Sequence, residues 1–242
     1  MIFDFLASIF FPRTCAACRT LVRTGALCEQ CRATITLSPT LFCGACDAPL
    51  ATRNGESPCH PAFPFLLGAA GNYETPALRA LVHRLKFGGI RSAAEALATF
   101  LVTYMEPFVP DYKGAIVVPI PLSPARLRSR GFNQAALIAQ KFAAHFGLPV
   151  MAEYLVRARH AKPQSETRTL AERRRNIHGC FAVNDPGQVR GKNIILVDDV
   201  TTSGTTFLEA SHMLKKSGAV TILALAAAKT HRGIMPLWHR SP

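Results

Sequence analysis

The chain has 242 residues, enough for one core of ordinary domain size plus a small appendage and too few for two large domains. Hydrophobic residues make up 49% and charged residues 18%, which excludes extended disorder. Lys and Arg number 28 against 15 Asp and Glu, and the resulting formal charge of +13 draws anions, phosphates or nucleic acid, toward the molecule.

Residues 1–11 are apolar, but they carry Asp4, lack a basic start and a small-residue cleavage site, and run straight into Pro12. They read as a docking helix and not as an export signal. No apolar run approaches the roughly 18 residues of a membrane helix, so a cytoplasmic protein without a membrane span is expected.

The cysteines come next. Cys15-x2-Cys18 and Cys28-x2-Cys31 are two knuckles whose four thiolates suit one tetrahedral zinc ion, closed to substrate and therefore structural. A disulfide framework is the competing reading, and nothing in the chain points to the oxidising compartment it needs. Cys43-x2-Cys46 opens a second set, but Cys59 follows alone and Ala62 stands where its partner at that spacing would be. His60 is the remaining candidate ligand, set against a ribbon that has lost its metal because adjacent ligands make awkward geometry. Zinc is expected at the first set only, and the isolated Cys180 reads as core.

Gly55, Ser57, Pro58, Pro61 and Pro64 form a breaker-rich linker, which divides the chain into a module at 1–64 and a main domain at 65–242. Leu78, Leu81, Val82 and Leu85, then Ala94, Leu97, Ala98 and Leu101, recur at helical spacing on either side of Gly88 and Gly89. A β-branched run at 115–120 leads through a basic turn to a helix marked by Ala135, Ile138, Ala139, Phe142 and Phe146. The same order returns with a strand at 194–197, a hydroxyl-rich turn, a helix and a strand at 220–228. Such alternation predicts an α/β fold with a mainly parallel sheet, whose ligands sit at the carboxyl ends of the strands.

The most informative stretch runs from Ile194 through Leu196, Val197, Asp198, Asp199, Val200, Thr201, Thr202, Ser203, Gly204, Thr205 and Thr206. A buried strand delivers two carboxylates at its end, where acceptor-only groups hold the vicinal hydroxyls of a sugar. Small hydroxylated residues around Gly204 then open a helix whose free N–H groups attract a phosphate. Together they describe a ribose 5-phosphate site. A Walker B strand is the rival, but the chain has no Gly-x4-Gly-Lys-Ser/Thr loop to accompany it.

The stretch from Val197 to Thr206 resembles the phosphoribosyl diphosphate signature of type I phosphoribosyltransferases. With the cysteine module, Val118-Pro119-Ile120-Pro121, Arg130-Gly131-Phe132-Asn133-Gln134 and Arg173-Arg174-Arg175-Asn176, the chain resembles the competence-associated ComF family along nearly all its length. It departs from that pattern at the second cysteine set and in residues 164–170. The resemblance implies a type I phosphoribosyltransferase-like sheet in which Asp198 and Asp199 bind the ribose hydroxyls and Thr201, Thr202, Ser203, Gly204, Thr205 and Thr206 hold the 5-phosphate. Arg126, Arg128 and Arg130 supply fixed cations for a departing diphosphate and its Mg2+, with Arg130 the first choice. Basic residues from Arg157 onward, including Lys162, Gln164, Arg168, Arg173 and Arg174, form a segment that closes over the ligand, with Lys162 assigned to phosphoribosyl diphosphate. Lys86 is within reach of the site, while His83 reads as a surface or packing histidine.

The expected function is binding of phosphoribosyl diphosphate and transfer of its phosphoribosyl group to an unidentified acceptor, with a role in DNA uptake or natural transformation. The alternative is a non-catalytic single-stranded DNA-binding competence factor that uses the site as a sensor and contacts DNA-uptake proteins. Aromatic residues make up only 8% of the chain, few for the stacking platforms such binding uses, so this reading ranks second.

Overall fold

The computed structural model describes residues 13–50, 59–108, 112–157 and 179–230. The expected docking helix at 1–11, residues 51–58 of the linker stretch, and Lys162, Gln164, Arg168, Arg173 and Arg174 lie outside the described residues.

Five strands form the main sheet. These are β1 (Phe42–Cys43), β2 (Leu66–Asn72), β3 (Ile116–Pro119), β6 (Asn193–Thr201) and β7 (Thr221–Lys229), in the spatial order β1-β2-β7-β6-β3. All neighbours run parallel except β1, which lies antiparallel on β2 with Phe42 opposite Leu67. A cysteine-bearing strand from before residue 64 thus extends the sheet that begins beyond it. A separate antiparallel pair, β4 (Leu155–Arg157) and β5 (Phe181–Val183), stands beside the sheet.

The helices follow from the apolar spacing. After the short α1 (Glu29–Ala33), α2 (Pro76–Phe87) starts on Pro76, whose missing N–H costs nothing in the first turn, and buries Leu78, Leu81, Val82 and Leu85. Next come α3 (Ser92–Met105), α4 (Pro124–Arg130) and α5 (Gln134–Phe146). The one-turn α6 (Pro186–Val189) and α7 (Thr205–Lys216) complete the set. One face of the sheet packs on α2, α3 and α5, and the other on α7 and the β4–β5 pair.

Strand alternation divides β6 between those faces. Ile195 and Val197 enter the first core and Ile194 and Leu196 the second. The sequence places the end of this strand at Val197, but β6 continues to Thr201 because β7 keeps pairing with it, Asp198 opposite Ala226 and Thr201 opposite Lys229. On its other side β3 stops at Pro119, opposite Val197. Past Val197, therefore, β6 has a neighbour on one side and an open crevice on the other.

Candidate functional site

That crevice is a cleft of about 110 Å3 lined by residues 198–207, by Ile120, Pro121 and Leu122 after β3, and by Lys86, Arg126, Arg130, Asn133, Gln134, Ala135 and Arg157. Its volume is small beside the roughly 300 Å3 at the low end of pockets for drug-sized ligands, and it suits a phosphate with part of a sugar. All the hydroxyl-loop residues and both carboxylates proposed from sequence meet there, as do Arg126 and Arg130. Arg128 is exposed and does not line the cleft.

The two carboxylates occupy different surroundings. They lie within the strand and not beyond it, and alternation turns Asp199 toward the α2 side and Asp198 toward α7 and β4. Asp199 is buried, 4% exposed, and its Oδ1 lies 3.0 Å from Nζ of Lys86 at the end of α2. Asp198 keeps a partly open face although protein surrounds it closely, and its Oδ1 accepts from the Asp199 backbone N–H at 2.8 Å. Desolvation pushes the Asp198 carboxyl up to about 7, with the Asp199 charge adding to the rise and Lys86, the Asp199 N–H and Arg157 opposing it. The two carboxylates expected to serve together are thus unequal: Asp199 is paired with an ammonium group, while Asp198 keeps the more exposed face in the cleft that both line.

The loop that follows has the shape expected of an anion cradle. Gly204 sits at φ 70° as the residue before α7, a conformation that glycine adopts without strain. No side chain among the described residues caps that helix, which leaves its first N–H groups available to an anion. Ser203 and Thr205 share a hydrogen bond of 2.8 Å between their hydroxyls. Thr201 is buried, and its carbonyl accepts from Thr230 N–H at 3.1 Å, which fixes the root of the loop to β7.

The cations come from three elements. In α4, Ser123 caps the helix by accepting from Arg126 N–H, and Arg130 ends it before Gly131 at φ 75°. Arg130 Nη1 donates to Gln134 Oε1 at 3.0 Å, and its guanidinium lies 5.7 Å from the Phe87 ring centroid. Asn133 accepts from Ala135 N–H to cap α5 and donates to the Ile120 carbonyl at 3.0 Å, tying that helix to the end of β3. These bonds give a physical role to the Arg130–Gln134 motif.

Two further cleft residues are Gln134, the last residue of the Arg130–Gln134 motif, and Arg157, the first of the basic stretch expected to close over the ligand. Gln134 is 2% exposed, and its Nε2 has no hydrogen-bond partner among the described residues. Arg157, at the end of β4 with its guanidinium 5.5 Å from the Phe181 ring centroid, has a buried Nε in the same condition. Burial pulls the Arg157 guanidinium below its ordinary value, with Cys180 and Asp198 among the groups that oppose this. Buried donors without a partner are rare, and two among the described residues of one cleft suit a ligand that brings acceptor oxygens.

A divalent cation accompanying the diphosphate, implied by the resemblance, fits these residues poorly. Asp198 and Asp199 are the cleft's only carboxylates among the described residues, Asp199 already carries Lys86, and four cationic side chains share the lining.

The cysteine module is more complete than its sequence promised. Cys15, Cys18, Cys28 and Cys31 form one group and Cys43, Cys46, Cys59 and His60 another, each with its ligand atoms within 4.8 Å of one another. His60 Nδ1 lies 3.4 Å from Cys43 Sγ and 3.2 Å from Cys59 Sγ, so its ring turns inward beside its neighbour and the expected awkwardness does not arise. The first knuckle of each set, Cys15–Cys18 and Cys43–Cys46, shares a local device. The residue after the second cysteine adopts positive φ, 68° at Arg19 and 62° at Asp47, while its N–H donates to the first cysteine's carbonyl. Sulfur and imidazole donors in fours suit tetrahedral zinc.

Residues 128–237 match the phosphoribosyl transferase domain family, and residues 6–62 match the double zinc ribbon domain family. The DNA utilization protein YhgH of Escherichia coli O157:H7 is 30% identical over 226 residues, covering 89% of this chain and 90% of that protein. Competence protein F of Haemophilus influenzae is 27% identical over 232 residues, covering 91% of this chain and 98% of that protein. Among solved structures, the glutamine phosphoribosylpyrophosphate amidotransferase from B. subtilis overlays loosely, with a TM-score of 0.38, 20% identity, and coverage of 56% of this chain and 26% of that one.

Proposed function

We propose, for a chain that belongs to the ComF family and joins a double zinc ribbon to a phosphoribosyltransferase domain, that the cleft beside β6 binds phosphoribosyl diphosphate. The observation that carries this reading is the convergence of the Asp198 carboxylate, the uncapped start of α7 and four side-chain cations on one crevice. A lone phosphate would leave the carboxylate unexplained, and a neutral sugar would leave the cations unexplained.

In this reading the 5-phosphate sits on the N–H groups and hydroxyls of residues 202–206, and Asp198 accepts a hydrogen bond from a ribose hydroxyl. The diphosphate lies among Lys86, Arg126, Arg130 and Arg157. Transfer breaks the bond from the ribose C1 to the diphosphate oxygen, which leaves with the electron pair, while the acceptor's lone pair forms the new bond at C1. Fixed cations stabilise the charge gathering on the leaving group, which makes the domain a glycosyltransferase toward an acceptor still to be identified.

The names of the relatives support a place for this activity in DNA uptake or utilization. A second reading, binding of single-stranded DNA without transfer, has one observation in its favour: Phe87 is 70% exposed beside Lys86, with the His83 ring 4.8 Å away and Arg130 over it. No helix among the described residues is long and apolar enough to cross a membrane.

Incubating the protein with labelled phosphoribosyl diphosphate and a panel of bases and amines tests transfer through diphosphate release. Release that depends on an acceptor and vanishes in Asp198→Asn supports the enzyme. Ligand binding without release from any acceptor, together with oligonucleotide binding unchanged in Asp198→Asn, moves the weight to the second reading.

A further inference from the structure

We propose that Lys86 supplies, from within the chain, the positive charge that a divalent cation would bring to the acidic pair, so that phosphoribosyl diphosphate binds without magnesium. The inference rests on the reading that the cleft takes this ligand.

The geometry at Asp199 is the starting point. Magnesium bonds oxygen at about 2.0–2.1 Å and demands near-octahedral surroundings. At Asp199 the space in front of Oδ1 is filled by an ammonium nitrogen at 3.0 Å, with 21% of the Lys86 side chain and 6% of the Asp199 side chain exposed. The ion pair is not a chance surface contact. Lys86 follows Leu85, which is fully buried, so the helix is anchored to the core one residue before it. It also lies in the last turn of α2, where the helix dipole favours a cation.

Charge balance in the cleft points the same way. Lys86, Arg126, Arg130 and Arg157 face Asp198 and Asp199, leaving the lining with an excess of two positive charges. The main service of magnesium to a diphosphate, neutralising its oxygens, is already provided. The Nε of Arg157 and Nε2 of Gln134, without partners among the described residues, add N–H donors for which phosphate oxygens are direct acceptors. When the ligand enters, the flexible stem of Lys86 lets its ammonium contact the diphosphate while staying near Asp199, which a metal with fixed geometry does less readily.

The test is a calorimetric titration of the sodium salt of phosphoribosyl diphosphate into the full chain. Divalent cations are removed from buffer and ligand with a chelating resin, and the protein's zinc content is checked to be unchanged. Affinities with and without millimolar magnesium are expected to agree within about threefold, ~0.7 kcal/mol. Lys86→Met is expected to lose about tenfold or more without magnesium and to regain most of it when magnesium is added, because Asp199 is then free to meet a metal. If removing Lys86 unfolds the chain, the Lys86→Met/Asp199→Asn pair removes both charges, and its lowered affinity should not respond to magnesium. Binding by the parent only with magnesium, or metal-free binding by Lys86→Met equal to the parent's, overturns the inference and leaves the ligand assignment standing. Absence of binding in both conditions instead sinks the assignment itself.

Discussion

Lys86 Nζ and Asp199 Oδ1 stand 3.0 Å apart and join the last turn of α2 to the second carboxylate of β6. The contact divides the acidic pair into one carboxylate that is held and one that is offered. Asp198 keeps the open face, and most of the expected behaviour of the site follows from it.

Binding of phosphoribosyl diphosphate is expected to strengthen as pH rises through about 7, where Asp198 loses its proton and becomes a full acceptor for a ribose hydroxyl. The groups acting on it are Asp199, which resists ionisation, and Lys86 and Arg157, which favour it. The ligand's 5-phosphate also ionises, with a second pKa of roughly 6. Asp198→Asn should retain only that lower component. Titrations between pH 5.5 and 8.5 on parent and variant check this, and an unchanged profile in the variant removes Asp198 from the site.

The same carboxylate should weaken the fold. Its folded-state pKa lies above the ordinary carboxylate value, so the penalty is absent below about pH 4, where both states are protonated, and complete above about 7. Asp198→Asn is therefore expected to stabilise the protein at pH 8 by on the order of 1–2 kcal/mol, reduced from the full shift by the residue's partial solvent access. Denaturant melts at pH 8 and pH 4 should show the gain at the first and its loss at the second.

Arg130 should separate the two ends of the ligand. Arg130→Gln is expected to weaken phosphoribosyl diphosphate about tenfold to a hundredfold through loss of a charge-assisted contact, while ribose 5-phosphate, which lacks the diphosphate, changes little. Competition experiments with both ligands measure the difference. Equal losses for the two would place Arg130 at the 5-phosphate instead.

Purified protein should hold two zinc ions per chain, one in each cluster. His60→Ala and Cys43→Ser are expected to lower the content to about one, and Cys15→Ser should act on the other site, all readable by elemental analysis. A parent content of one zinc, unchanged in His60→Ala, would return the second cluster to a metal-free ribbon.

The Cys43–Cys46 knuckle is also pinned to the sheet by charge. Lys229, the last residue of β7 and 5% exposed, sets its ammonium 2.6 Å from both Asp47 oxygens and 3.8 Å from the Phe42 ring centroid. Asp47→Asn should cost about 2–4 kcal/mol by leaving a buried ammonium without its counter-charge, and the double change with Lys229→Met should cost less than the sum. Thermal melts of the four proteins complete the cycle.

The site was legible in sequence to the extent that it is local. Residues 194–206 carry their own strand, acids, glycine and hydroxyls, and the apolar spacing of α2, α3 and α5 is direct. What remained hidden depends on distant partners. The extension of β6 through its acids is set by the long apolar β7 beside it. The pairing of Asp199 with Lys86 and the placing of Arg157 at Asp198 arise from how α2 and β4 meet the sheet, which no spacing encodes. Adjacency to Cys59 makes His60 an awkward ligand on sequence alone, yet the turn that brings Phe63 N–H onto its carbonyl at 3.0 Å lets the ring face the thiols. The short β1 is only Phe42 and Cys43, too brief to show any period.

A crystal structure with phosphoribosyl diphosphate tests the central claim most directly. The 5-phosphate is expected on the N–H groups at the start of α7, with a ribose hydroxyl within hydrogen-bond distance of Asp198 and the diphosphate among Lys86, Arg126, Arg130 and Arg157. A ligand bound elsewhere, or an empty cleft at saturating ligand concentration, would contradict it.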